Sequence, residues 1–99
     1  HADQLGDDGG AELAAELGAL SADHLGHISP TGIAALARSD TIAVLIPGSL
    51  MFVPGEKAPP VRAMIDAGVA IGVSTDYTPG TSPIALISRY AGVRVSPPK

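Results

Sequence analysis

Apolar positions along this 99-residue chain fall into two alternating rhythms. Short continuous runs bounded by Gly, Pro and polar residues read as strands buried on both faces. Stretches with apolar residues three or four apart read as helices. Thr41-Ile42-Ala43-Val44-Leu45-Ile46 is the clearest strand, closed by Pro47-Gly48. Val69-Ala70-Ile71-Gly72-Val73, running on to Thr75, is another, and Ala19 to His24 is a shorter one with a polar end. The turn Gly6 to Gly10 precedes a helix from Ala11 to Leu17, with Leu13 and Leu17 on one face and Gly18 as its stop. Ser29-Pro30 starts a second helix, to about Arg38, with Ile33, Leu36 and Ala37 inward. Pro59-Pro60 starts a third, through Val61, Met64 and Ile65 to Gly68, and Thr81-Ser82-Pro83 starts a fourth over Ile84 to Tyr90. Residues 49–58 read as a longer loop with exposed Met51 and Phe52.

Strand ends fall near His1, His24, Pro47 and Asp76, separated by 23, 23 and 29 residues, with no evident sequence repeat. A strand followed by a helix at this spacing builds a parallel sheet with right-handed crossovers. The predicted class is therefore α/β, with four consecutive βα units, half of a (β/α)8 TIM-type barrel. Active groups of such a barrel sit at the carboxyl ends of its strands, and three of the four ends here carry His1, His24 and Asp76.

Composition sharpens this picture. Apolar residues make up 45% of the chain, mean hydropathy is +0.30 and aromatic residues only 3%, so the core is Ala, Val, Leu and Ile. Such a chain suits sheets covered by helices, or a piece of a larger body. The net charge of −4 is uneven: six of ten acids precede residue 28, and the first basic residue is Arg38. No basic patch with interleaved aromatics offers itself to nucleic acid. No apolar run approaches the roughly 20 residues needed to span a bilayer. No export leader is visible, and the lack of cysteine fits a reducing, cytoplasmic compartment. With His1 first and the last element unfinished, a truncated chain is the simplest expectation.

Each candidate residue has a plain reading beside a chemical one. Asp76, above an apolar strand, either bonds the backbone of the following turn or ligates a metal and takes a proton from its water. Imidazole and carboxylate donors suit zinc or iron. His24 alone reads as a structural or solvated histidine; with His1 and Asp76 at equivalent strand ends, the catalytic reading takes over. His27 lies in the loop and reads as supporting or solvated. His1 could bind metal through its imidazole and amine or be inert. Gln4 could be a neutral loop residue or hold a substrate ring. Gly9-Gly10 reads as a turn, since Asp7 and Asp8 oppose an anion there.

Several joined segments carry a family resemblance. His1-Ala2-Asp3-Gln4, Gly9-Gly10-Ala11-Glu12-Leu13-Ala14 and Gly18 to Leu25 resemble imidazolonepropionase, of the metal-dependent amidohydrolase superfamily. Ala43 to Gly48, and Thr75-Asp76 through Pro79-Gly80-Thr81-Ser82-Pro83, are similar to its later segments in the same order. The resemblance implies a cytoplasmic homodimeric hydrolase that opens 4-imidazolone-5-propanoate to N-formimidoyl-glutamate in histidine degradation. It implies that His1 is the metal ligand on the fifth barrel strand and Asp76 the ligand and proton shuttle on the eighth. His24 would stand on the sixth strand by the reactive water and the scissile carbonyl, and Gln4 would hold the imidazolone ring and share in catalysis. Thr78, Gly80 and Thr81 would contact this small-molecule substrate.

The chain departs from the family at three places. Thr78 stands where the family usually has Asn, Met51-Phe52 replaces a Phe-Tyr pair, and similarity fades past Ser88, leaving 89–99 as a poorly matching tail. The superfamily's His-x-His ligands, and this family's substrate-gripping Arg and Tyr, belong upstream. One ion of Zn2+ or Fe2+/Fe3+ would thus find an incomplete ligand set in residues 1–99, and the isolated chain is expected to be inactive. The rival expectations are another heterocycle amidohydrolase or deaminase, or a non-catalytic half-barrel that associates through open sheet edges.

Overall fold

The computed structural model describes residues 1–85. They form α1 (Gly10–Glu16), β1 (Ser21–Asp23), α2 (Pro30–Ala37), β2 (Ile42–Leu45), α3 (Pro47–Phe52), α4 (Val61–Asp66) and β3 (Ile71–Val73). The strands make one parallel sheet in the order β1-β2-β3, with Ala22 beside Ala43 and Ala43 beside Ile71. The α/β class with a parallel sheet is as the hydrophobic pattern predicts. Each strand is shorter than the run predicted for it, with single backbone hydrogen bonds carrying the pairing past its ends, as from the Ile42 N–H to the Leu20 carbonyl and from the Ser74 N–H to that of Leu45.

Near His1 there is no full strand. Ala2 makes a single parallel bridge to His24, extended by Leu25 N–H donating to the Ala2 carbonyl and His27 N–H to that of Asp3. The loop expected over residues 49–58 begins with a helix instead. Ile46 precedes α3, Pro47 occupies its first position, and Pro47, Gly48 and Ser49 are buried. Pro47-Gly48 therefore opens a helix rather than closing a strand, because proline is compatible with a first helical turn. Met51 and Phe52 are exposed, as the sequence suggests. Of the predicted fourth helix, residues 84 and 85 have no regular structure, and the remainder and the 89–99 tail lie outside the described residues.

Alternation across the strands decides the core. Ala22, Ala43 and Leu45 point to the helix-covered side, where they meet Ala11 of α1, Leu36 of α2 and Met64 of α4. Small residues on the strands let the helices approach closely. The opposite face carries Ile42, Val44 and Gly72, and no helix of the described residues covers it. The α1 face differs from a leucine-driven one: Ala11 is buried, whereas Leu13 and Leu17 are exposed. α2 is capped as its sequence predicts, with the Ser29 hydroxyl accepting the Gly32 N–H at 3.0 Å and Pro30 following. No helix of the described residues is long and apolar enough to cross a membrane.

Candidate functional site

The carboxyl ends of the strands converge on one rim. β1 delivers His24, whose N–H donates to the Val44 carbonyl at 3.1 Å and so continues the ladder one residue past the strand. There the backbone turns sharply: His24 and Leu25 both have positive φ, 79° and 64°. Non-glycine residues resist this conformation, and two in succession need the surroundings to hold them. The turn buries Leu25 in the core and keeps the His24 imidazole at the rim, itself only 5% exposed.

β3 delivers Asp76 in the same way. Its φ is 45°, its N–H donates to the Ser74 hydroxyl at 3.3 Å, and the Thr78 hydroxyl donates back to its carbonyl at 3.0 Å. The loop beyond is drawn tight by Thr78 and Ser82, which exchange backbone hydrogen bonds of 2.9 and 2.8 Å. The Ser82 hydroxyl donates to the Thr75 carbonyl at 2.5 Å, so it closes the loop onto the strand end.

A cleft of about 340 Å3 opens on this rim, lined by His1, Gln4, His24, Ser49, Val53, Asp76, Thr78 and Thr81. It gathers six of the seven residues singled out from the sequence. Gly80, the seventh, is exposed in the adjoining turn, and a Cβ there would meet open space. His27 does not line the cleft. Within it, His24 Nε2 lies 3.5 Å from Asp76 Oδ2, and the His1 and His24 rings stack with centroids 5.1 Å apart. Burial pushes the His24 imidazole below its ordinary value. The carboxylates of Glu56, Asp76 and Asp23 pull the other way without restoring it.

Two residues of this region escape a strand-end reading. Glu56, between α3 and α4, accepts from Gln4 Nε2 at 2.6 Å and from the hydroxyl of buried Ser49. Gln4 Oε1 in turn lies 2.8 Å from His1 Nδ1. No local sequence signal marks this approach; in the structure a Cβ at Gly26 would overlap the Lys57 carbonyl oxygen, so glycine there lets residues 56 and 57 reach the rim. Asp3, between the two, plays a structural part, with its carboxylate on the N-terminus of α1.

As a metal centre the donors are right in kind and short in number. Among the described residues, no three His, Cys, Asp or Glu side chains are grouped to hold an ion. His1 and Asp76 supply two donors of suitable chemistry, fewer than the three protein ligands a zinc site ordinarily takes.

No family model matches the chain. Individual proteins do. It is 55% identical over 87 residues to an imidazolonepropionase of Rhizorhabdus wittichii, covering 88% of this chain and 22% of that protein. It is 54% identical over 93 residues to that of Maricaulis maris, covering 94% and 23%, and 51% identical over 87 residues to that of Rhizobium meliloti, covering 88% and 21%. The chain thus spans about a fifth of the length of the curated relatives it matches.

Proposed function

The chain belongs, over the stretch matched, to the imidazolonepropionase family, and from that premise we propose that it forms one side of the active site of a ring-opening hydrolase in histidine degradation. The observation that carries the proposal is the single cleft shared by His1, Gln4, His24, Asp76, Thr78 and Thr81.

The reaction adds water to the ring carbonyl of 4-imidazolone-5-propanoate and breaks the adjacent amide C–N bond. The water oxygen stays on the new carboxylate, and the released nitrogen takes a proton to leave N-formimidoyl-glutamate. Asp76 is the base that removes the water proton and returns it to the nitrogen. His24, held neutral by burial, stands within reach of Asp76 and donates a ring N–H hydrogen bond to the oxygen of the reacting carbonyl. Gln4 orients the ring, while the Thr78 and Thr81 hydroxyls and the Gly80 backbone meet the propanoate arm. Zinc or iron, held in part by His1 and Asp76, would polarise the carbonyl and make the water more acidic.

The architecture supports the same reading. Three parallel strands in sequential order, with α1, α2 and α4 contributing to one core, suit a slice of a barrel better than a doubly wound sheet. In that reading the Ala2 bridge stands for a further strand, and the chain contributes four βα units, half of an eight-stranded barrel. Ile42, Val44 and Gly72 then face the barrel interior.

The test is hydrolysis by the full polypeptide that carries this chain, followed by loss of imidazolone and appearance of N-formimidoyl-glutamate. Asp76→Asn should lower kcat by about 10²–10⁴-fold, and the 99-residue chain alone should show no turnover. Unchanged kcat in Asp76→Asn would refute the assignment, and ammonia as a product would favour a deaminase. A second reading follows from two exposed apolar residues, Ile42 on the uncovered face and Val73 on the edge strand β3: the isolated chain self-associates. A monomeric mass in solution would exclude it.

A further inference from the structure

Glu56 sits in the connection between α3 and α4, away from every strand end. Both of its oxygens are committed: Oε1 to Gln4 Nε2 at 2.6 Å and Oε2 to the Ser49 hydroxyl. A carboxylate only accepts hydrogen bonds, so Gln4 must turn its NH2 group toward Glu56. The amide oxygen of Gln4 is thereby directed at His1, 2.8 Å from Nδ1. An amide oxygen also only accepts, so Nδ1 of His1 must carry a proton. In a neutral imidazole protonated at Nδ1, the lone pair resides on Nε2.

We propose that Glu56 is a positioning residue which, through the Gln4 amide, holds His1 in the Nδ1–H tautomer and leaves its Nε2 as the free donor atom of the cleft. The relay extends the reading of His1 as a ligand and rests on it for its purpose. It also gives Gln4 a second task beside the substrate ring. The anchoring is built for the purpose of holding one geometry: Ser49 is buried at the start of α3, and Gly26 admits the neighbouring Lys57 backbone at contact distance. Partners of this kind commonly fix the tautomer and ring orientation of a ligating imidazole.

The experiment is 15N–1H correlation of the imidazole nitrogens in the histidine-labelled chain, whose three histidines are assigned by single replacement. It is run well above the ordinary imidazole value of about 6.5 so that neutral rings are observed. The wild-type chain should show His1 protonated at Nδ1 and bare at Nε2. Glu56→Ala should move Nδ1 toward the unprotonated position as the two tautomers mix. Glu56→Lys, which can only donate, should flip the Gln4 amide and reverse the tautomer. Glu56→Gln, which keeps an acceptor oxygen, should restore the wild-type pattern. Gln4→Leu removes the relay without touching Glu56 and should reproduce the Glu56→Ala spectrum even if that variant folds poorly.

An Nε2–H tautomer in the wild type, or the same tautomer in wild type, Glu56→Lys and Gln4→Leu, would overturn the proposal. The spectrum is read without turnover. Failure of the full polypeptide to open the imidazolone ring would therefore refute the reaction proposed above and leave the relay standing.

Discussion

Replacing Asp3 by alanine is the sharpest test of how the rim is held. Asp3 is 3% exposed, and its carboxylate reaches across a turn to the start of α1. Oδ1 accepts the N–H groups of Asp8 at 3.1 Å and Gly10 at 3.0 Å, and Oδ2 accepts that of Ala11 at 3.2 Å. The residue in the cap position, Gly9, has no side chain to do this. Asp3→Ala strips all three donors of their partner. The Ala11 N–H is buried and stays unsatisfied, which costs about 1–3 kcal/mol. The Asp8 and Gly10 bonds are partly accessible to water, and losing them resembles losing an ordinary cap, about 1 kcal/mol. A further contribution comes from φ of 49° at residue 3, which Asp tolerates better than Ala. The expected total is about 3 kcal/mol, a large share of the roughly 5–15 kcal/mol by which small domains are stable. Asp3→Asn keeps an acceptor oxygen and the same backbone tolerance, so it should lose about 1 kcal/mol. Urea unfolding measures both, with a shifted midpoint at constant slope. An Asp3→Ala change below about 0.5 kcal/mol, the range of an ordinary surface substitution, would refute the capping role.

Two further outcomes follow from the same rim. Gly26→Ala places a Cβ on the Lys57 carbonyl, and since backbone must move it should cost about 1–3 kcal/mol. It should also loosen Glu56 from Gln4, so the His1 spectrum should shift part of the way toward that of Glu56→Ala; an unchanged midpoint and spectrum would show that the loop yields freely. His24 should make stability depend on pH. Its folded value is lowered, so the unfolded state binds more protons as pH falls, and the contribution is complete above about 6.5 and lost progressively below it. Urea midpoints between about pH 8 and about pH 5 should therefore fall less steeply in His24→Gln than in the wild type; equal slopes would contradict the burial argument.

The sequence reveals the parts of this site that depend on period and position. The apolar run below Asp76 marks a strand end because the residues of a strand packed in a sheet stay apolar until the chain leaves it, whereas the part-polar stretch ending in His24 is marked by its place in the strand-helix period. Ser29-Pro30 marks a helix start because its two residues do separate, local jobs. What the sequence hides depends on contacts across the chain. Glu56 reaches Gln4 from 52 residues away, and no local pattern encodes that pairing. Pro47-Gly48 is compatible both with a turn and with the first turn of a helix, and burial of Ser49 beside Glu56 selects the helix. The exposed Leu13 and Leu17 mislead for a related reason. α1 lies close to α2 at Gly32, where a Cβ would press on Ala11 and on the Glu12 carboxylate, so small residues face the core.

Backbone strain on the rim connects these observations. Asp3, His24, Leu25 and Asp76 are the non-glycine residues of positive φ among the described residues, and all four lie at or beside the cleft. Each such residue costs on the order of 1–3 kcal/mol, so a sequence selected only for stability would place glycine or asparagine at these corners. The nearby glycine, Gly26, stands instead where a second segment approaches. Leu25 is held by its N–H bond to the Ala2 carbonyl at 3.0 Å and by complete burial, and its corner sets the direction of the His24 ring. Asp3 is held by the helix it caps, and its corner separates His1 from Gln4 so that their side chains can meet. The strained corners are thus positions at which a side chain is needed and glycine would serve the backbone alone. The polar groups of the rim are aimed by core packing and helix capping, and a substitution that relaxes either should disorder the cleft before it unfolds the sheet.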